Sequence, residues 1–161
     1  LYILVFLLSS FLLIIMMFFG GMVGSTAGGI KTMRWSLVLK QIIIEIRKLI
    51  HPQAIYPLRL DQKAIPVEVM INILSFTLLY ILVFLLSSFL LIILGLDYFT
   101  SFGATIACMS GVGPGFGLVG PMDNYSGLHF GAKWILIADM YGGRLELVTA
   151  LVFFSRSFWK K

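Results

Sequence analysis

Residue types that could do chemistry gather in two glycine-rich runs and at one arginine. Gly115-Phe116-Gly117-Leu118-Val119-Gly120 fits G-x-G-x-x-G, with Asp139 near the acidic position that would follow. That pattern binds a dinucleotide only between a strand and a helix of a βαβ unit. Here an apolar helical run precedes it, so context rejects the nucleotide reading. Gly24 to Thr32 has the outline of a Walker A loop, but Ile30 stands where the lysine must be and Lys31 comes one residue late. The shift removes the geometry that sets the lysine on phosphate.

The run from Gly20 to Ile30 admits two readings. Gly20, Gly24 and Gly28 are spaced as small-x-x-x-small, which lets helices approach closely. Alternatively, so many glycines, each about 1 kcal/mol worse than Ala in a helix, interrupt the helix. Freed carbonyls and the Ser25 and Thr26 hydroxyls would then line a water-filled path. Composition leaves the two open. Arg144 lies some 16 Å along a helix from Lys133, too deep to snorkel, so it must face a cavity or a partner. Asp139 and Glu146 are close in sequence but neither sits at the three- or four-residue helical spacing. Arg144 is thus either a tie between helices or a fixed charge beside an ion path. His51 and His129 flank loops, Cys108 reads as packing, and Trp35, Trp134 and Trp159 read as interfacial anchors. No nucleophile–base set, paired-carboxylate site or metal-ligand spacing is visible, which argues against an enzyme.

Such residues need a scaffold, and composition says what kind. The chain is 60% hydrophobic and 12% charged, with a mean hydropathy of +1.02. Soluble domains are about 45–50% apolar and about 25% charged, so lipid must solvate much of this chain. One cysteine excludes a disulfide framework. Three runs are long enough to span: Leu1 to about Ile30, Val67 to about Leu96, and Trp134 to about Phe154. A fourth, Tyr98 to Met109, is too short to span and leads straight into Ser110-Gly111-Val112-Gly113-Pro114-Gly115. Non-helical backbone survives at membrane depth only where protein or a wet cavity satisfies it, so half-span, glycine loop and helix make a pore-loop unit.

Charge placement agrees. Lys31, Arg34, Lys40, Arg47, Lys48, Arg59 and Lys63 lie between the first two spans, and Arg156, Lys160 and Lys161 follow the third. Positive-inside logic puts 31–66 and the C-terminus in the cytoplasm and the pore-loop face outside. Lys31 to Leu49 is expected to continue as a helix out of the membrane, ended by His51-Pro52 and Tyr56-Pro57. Pro66 and Glu68 mark the first turn of the next span. LYILVFLLSSFLLII occurs identically at 1–15 and 79–93, which reads as a joining of sequence or a recent duplication. No function is argued from it. With no charged region before the first run, a signal peptide is not expected, and the chain reads as a segment of something longer.

The stretches GGMVGSTAGGIKTMRW, LIHPQAIYPLRL, GLDYFTSFGATIACMSGVGPGFGLVGPMDNYSGL and KWILIADMYGGRLELVTALVFFSRSFW resemble the C-terminal quarter of the membrane subunit of the Trk/Ktr/HKT superfamily of potassium uptake transporters. That family folds as four helix–pore-loop–helix repeats around one pore. The resemblance implies an all-α membrane protein in three parts. Residues 1–50 end the third repeat, 51–66 form a cytoplasmic linker, and 67–161 form the fourth repeat. It implies a filter strand at Gly111, Val112, Gly113, Pro114 and Gly115, with K⁺ held by the Val112 and Gly113 carbonyls. It implies a gate loop at Gly20, Gly21, Gly24, Ser25, Thr26, Ala27, Gly28 and Gly29, which favours the interrupted-helix reading. Arg144 resembles the family's pore-facing arginine. Departures are Gly111, where Asn is common, and Gly142, where a larger apolar residue is usual. The implied activity is potassium uptake across the bacterial inner membrane by a multi-pass protein, with K⁺ as cargo and no covalently bound cofactor. Implied partners are membrane lipid, a second copy of the full-length subunit and a cytoplasmic nucleotide-binding regulatory subunit of the TrkA/KtrA kind, with no nucleic acid. A Na⁺-permeable or Na⁺-coupled relative and a non-transporting membrane scaffold are the alternatives.

Overall fold

In a computed structural model the chain is described at residues 2–22, 25, 28–50, 59–60 and 63–144. Its helices are α1 (Tyr2–Phe18), α2 (Thr32–Ile50), α3 (Val67–Ile93), α4 (Tyr98–Ser110) and α5 (Phe130–Arg144). Single 3₁₀ turns occupy Gly117–Val119 and Tyr125–Gly127. The fold is all-helical apart from a two-residue antiparallel ladder, β1 (Arg59–Leu60) with β2 (Lys63–Ala64), which lies in what reads from sequence as plain linker. The proline breaks at Pro52 and Pro57, the end of the third span after Arg144, and the C-terminal cluster of Lys and Arg lie outside the described residues.

Among the described residues, α3 is the one helix long and apolar enough to cross a membrane. Pro66 stands just before its first turn, at φ −59 and ψ 144, one position earlier than expected, and Glu68 favours that terminus. Gly95 ends the helix. At φ 92 it is left-handed, its N–H bonds the Ile92 carbonyl and the Leu96 N–H bonds the Leu91 carbonyl, which is the Schellman arrangement. Two residues on, the Asp97 carboxylate accepts from the Thr100 N–H at 3.0 Å and starts α4.

Helix α4 has 13 residues, about 20 Å against a hydrocarbon thickness of about 30 Å. It is the most enclosed element: every residue from Gly103 to Ser110 is buried. Small side chains along much of it allow this, and two of its hydroxyls bond back into the helix. Thr105 donates to the Ser101 carbonyl at 2.9 Å and Ser110 to the Ile106 carbonyl at 2.7 Å. Leu91, Ala104, Cys108, Ala132 and Leu136 form the core where α3, α4 and α5 meet. Phe76, Tyr80 and Phe84 of α3 meet Ile106 and Met109 of α4 on the other side, together with Ile30. Leu37 and Val38 seat α2 on Met70 of α3, and the Arg34 guanidinium lies 4.1 Å over the Phe76 ring. The core is therefore built around a half-length helix.

Candidate functional site

The C-terminus of α4 is where the implied site residues converge. Gly111 caps the helix in the left-handed region (φ 72, ψ 23), its N–H bonded to the Ala107 and Cys108 carbonyls. Glycine enters this conformation without a Cβ penalty. Val112 follows, half-exposed, and Gly113 is again at positive φ, 99°. The N–H groups of Val112 and Gly113 both turn back to the Ala107 carbonyl, at 3.1 and 3.5 Å. A Cβ on Gly113 would meet nothing within 4 Å, so backbone conformation alone demands glycine there. Gly115 is glycine for a different reason: a Cβ would fall 2.8 Å from Val119 and 3.1 Å from the Gly103 carbonyl oxygen. It packs the loop onto α4, and its N–H bonds the Val119 carbonyl at 2.8 Å.

One expectation is amended here. The Gly113 carbonyl, read as an ion ligand, accepts a hydrogen bond from the Tyr125 hydroxyl at 2.6 Å, so one of its lone pairs is turned toward the protein. Nothing in the local sequence connects Tyr125 to this strand.

The described residues of the glycine run after α1 are not helical. The helix stops at Phe18, not near Ile30, and restarts at Thr32. Phe19 and Ile30 form a parallel bridge, the Gly20 N–H bonds the Ile30 carbonyl at 2.9 Å, and the Thr32 N–H bonds the Gly21 carbonyl at 3.3 Å. Trp35 donates its indole N–H to the Phe18 carbonyl at 3.3 Å, satisfying one carbonyl orphaned by the break, so it is more than an interfacial anchor. The small-x-x-x-small helix reading does not survive this geometry. A Cβ on Gly20 would lie 2.7 Å from the Gly28 carbonyl oxygen, so the two limbs close only on glycine. Gly29 is left-handed at φ 82, and Ser25 is exposed, with its N–H on the Met22 carbonyl at 3.0 Å. Gly24, Thr26 and Ala27 lie outside the described residues.

The loop is seated against α4. Gly28 is buried, and a Cβ there would fall 2.7 Å from the Met109 carbonyl oxygen and 2.9 Å from Ser110. Helix α5 reaches the same spot from its own side. A Cβ on Gly143 would fall 2.7 Å from the Met109 carbonyl carbon, 2.9 Å from its Cα and closer still to its oxygen. Arg144, the next residue, is exposed. The C-terminus of a helix carries about half a negative elementary charge, so the end of α4 is a place that favours a cation, with the loop at Gly28 and α5 at Gly143 packed beside it.

Two further polar groups were not foreseen as a pair. Asp139 on α5 is 3% exposed. It accepts from the Ser87 hydroxyl of α3 at 2.7 Å, and its second oxygen is buried without a partner. It is therefore engaged across the helix packing and not with Arg144. An aspartate in mid-span signals such a contact, but its partner, 52 positions away, carries no sequence signal. At the start of α4, hydrogen bonds from Thr100, first its side chain and then its N–H, hold the Asp97 carboxyl below its ordinary value. Cys108 is buried, as its packing role requires, and Trp134 is exposed.

Residues 8–161 match the family model described as a cation transport protein, TrkH. The chain is 41% identical over 150 residues to the Trk system potassium uptake protein TrkH of Escherichia coli K12, covering 93% of this chain and 31% of that protein. It is 38% identical over 154 residues to TrkH of Vibrio parahaemolyticus, covering 92% and 30%. The crystal structure of the potassium transporter TrkH from Vibrio parahaemolyticus superposes with a TM-score of 0.79 at 36% identity, over 94% of this chain and 32% of that one. The chain thus spans about a third of the length of the relatives it matches.

Proposed function

The chain belongs to the TrkH family of membrane-embedded cation transport proteins, and from that premise we propose that it supplies the last filter strand and the gate of a potassium uptake transporter. The relatives bear the name potassium uptake protein, and the activity is transport, not catalysis. In this reading residues 67–161 are a complete helix–pore-loop–helix unit, residues 1–50 close the preceding one, and 51–66 link them in the cytoplasm. The full-length subunit sits in the bacterial inner membrane, pairs with a second copy and is regulated by a cytoplasmic nucleotide-binding subunit.

The mechanism follows from the end of α4. Backbone carbonyls at 111–115, Val112 foremost, replace water around K⁺. The partial negative charge of the buried half-helix offsets part of the dehydration. The ion then meets the loop at 20–29 and the Arg144 guanidinium before reaching the cytoplasm. The observation that carries this reading is the seating of Gly28 directly on the Met109 and Ser110 backbone at the filter's foot. A loop packed only to join helices has no reason to be pressed against that terminus.

The test is uptake by the full-length protein in a host deficient in potassium uptake. Gly113→Ser should lower K⁺ flux or K⁺/Na⁺ preference far more than Gly120→Ser. Gly113 sits at φ 99, where a side chain is strained, whereas Gly120 sits at φ −65. Failure to restore growth at low K⁺, or equal effects of the two substitutions, overturns the assignment. Na⁺ uptake without K⁺ preference would instead identify a Na⁺-permeable relative.

A further inference from the structure

The strand after α4 has a gap in its own support. Gly113 has no side chain, and its N–H reaches the Ala107 carbonyl only at the long distance of 3.5 Å. Pro114 has no N–H to donate. The next main-chain anchor is the Gly115 N–H on the Val119 carbonyl. Among the described residues, nothing beyond its chain neighbours lies within 4 Å of where a Gly113 Cβ would stand. What holds its carbonyl is the Tyr125 hydroxyl, at 2.6 Å.

Tyr125 is well placed to hold it. It opens the 3₁₀ turn Tyr125–Gly127, which Asn124 caps by accepting from the Ser126 N–H at 3.0 Å. Its ring packs against the core of Leu91, Ala104, Cys108 and Leu136, and its hydroxyl lies 4.0 Å from the Cys108 sulfur. The hydroxyl therefore comes to the strand from the half-helix side. Burial pushes the phenol well above its ordinary pKa, so it remains a donor throughout the physiological range.

We propose that Tyr125 is a positioning residue for ion selection: its hydroxyl fixes the rotation of the Gly113–Pro114 peptide, and with it the direction of the Gly113 carbonyl and of the Val112 carbonyl one peptide before. This deepens the filter reading and rests on it. A carbonyl with one lone pair given to Tyr125 keeps the other, and its aim is set by that bond. Released, the peptide samples other rotations, and a flexible site discriminates less between a larger and a smaller monovalent ion.

The experiment uses the full-length protein reconstituted in vesicles, with K⁺, Rb⁺ and Na⁺ competing for uptake. Tyr125→Phe keeps the ring and removes only the hydroxyl. K⁺ preference over Na⁺ should fall about fivefold, the equivalent of one neutral hydrogen bond, at wild-type protein yield. Cys108→Ala removes a thiol that lies near the Tyr125 hydroxyl and keeps the carbonyl that the Gly111 N–H uses, so it should leave the ratio unchanged. A Tyr125→Phe protein with wild-type ion ratios, when Tyr125→Ala alone is impaired, would overturn the proposal and leave Tyr125 a packing residue. Gly113→Ser separates the two levels. If it changes selectivity and Tyr125→Phe does not, the positioning role fails and the filter stands. If neither changes selectivity, the filter assignment itself fails.

Discussion

Replacing Gly28 by Ala adds one methyl group where the glycine-rich loop touches the half-helix. The new Cβ would stand 2.7 Å from the Met109 carbonyl oxygen and 2.9 Å from the Ser110 carbonyl carbon and oxygen. All are backbone atoms of the buried C-terminal half of α4, so they cannot swing aside. Favourable carbon contacts lie near 3.5–4.0 Å, so the loop must withdraw by at least about half an ångström. Overpacking of this kind costs about 1–3 kcal/mol. If the loop bars the ion path, that energy is lost from the seated state and not from a displaced one. The closed-to-open equilibrium then shifts by roughly 5- to 150-fold. Maximal K⁺ uptake by the full-length protein should rise, with the K⁺/Na⁺ ratio little changed, because the filter strand keeps its own bonds. Gly127→Ala is the control, since a Cβ there meets nothing within 4 Å. Rates are compared per molecule of inserted protein. Uptake at or below wild type in a well-inserted Gly28→Ala protein would refute the idea that this seat is a gate.

Three other outcomes are expected. Arg144→Gln should also raise maximal uptake, and combined with Gly28→Ala it should give less than the sum of the two free-energy effects, because both act on one barrier; full additivity or unchanged uptake argues for a helix tie. Ser87→Ala should destabilise the protein by about 1–3 kcal/mol, since it strands a buried carboxyl oxygen of Asp139, and adding Asp139→Leu should recover most of that loss in thermal melting. The lowered Asp97 pKa contributes stability that is present above the unfolded carboxylate value of 3.8 and is lost as pH falls through the folded value. Melting temperature below about pH 4 should therefore drop by an increment that Asp97→Asn lacks, and parallel curves for the two proteins would show that the cap is not what titrates.

Much of the architecture is legible along the chain because the bilayer enforces it. The α3 span and the 13-residue run too short to cross depend on local composition and hydrogen bonding, whereas the first span was expected to run to about Ile30 and stops at Phe18. The glycine run at 20–29 could be flagged but not resolved, because small residues serve close helix packing and helix interruption alike. What decided it was the bridge from Phe19 to Ile30, which closes the loop on itself, and the seat of Gly28 on Met109 of α4, about 80 residues further along the chain. The Tyr125 bond to Gly113 and the Ser87 bond to Asp139 were invisible for the same reason.

The run LYILVFLLSSFLLII separates the two kinds of information cleanly, since it occurs twice. Both copies are helical, in α1 and in α3, because an unbroken apolar run with no competing hydrogen-bonding groups needs only its own backbone to form a helix in lipid. Burial agrees at some matched positions and not at others: Ser10 and Ser88 are both buried, whereas Ser9 is exposed and Ser87 is buried. Leu13 of the first copy is 53% exposed, while Leu91, at the same place in the second, is 0% exposed. Such a run is apolar all round, so it carries no stripe to say which side must face the protein. That choice was made by α4 and α5, whose small residues and single aspartate fit against one side of α3 and leave α1 to contact α4 near its C-terminal end. Helix formation is a property of the residues themselves, whereas burial and the site it creates belong to the neighbours that tertiary structure brings.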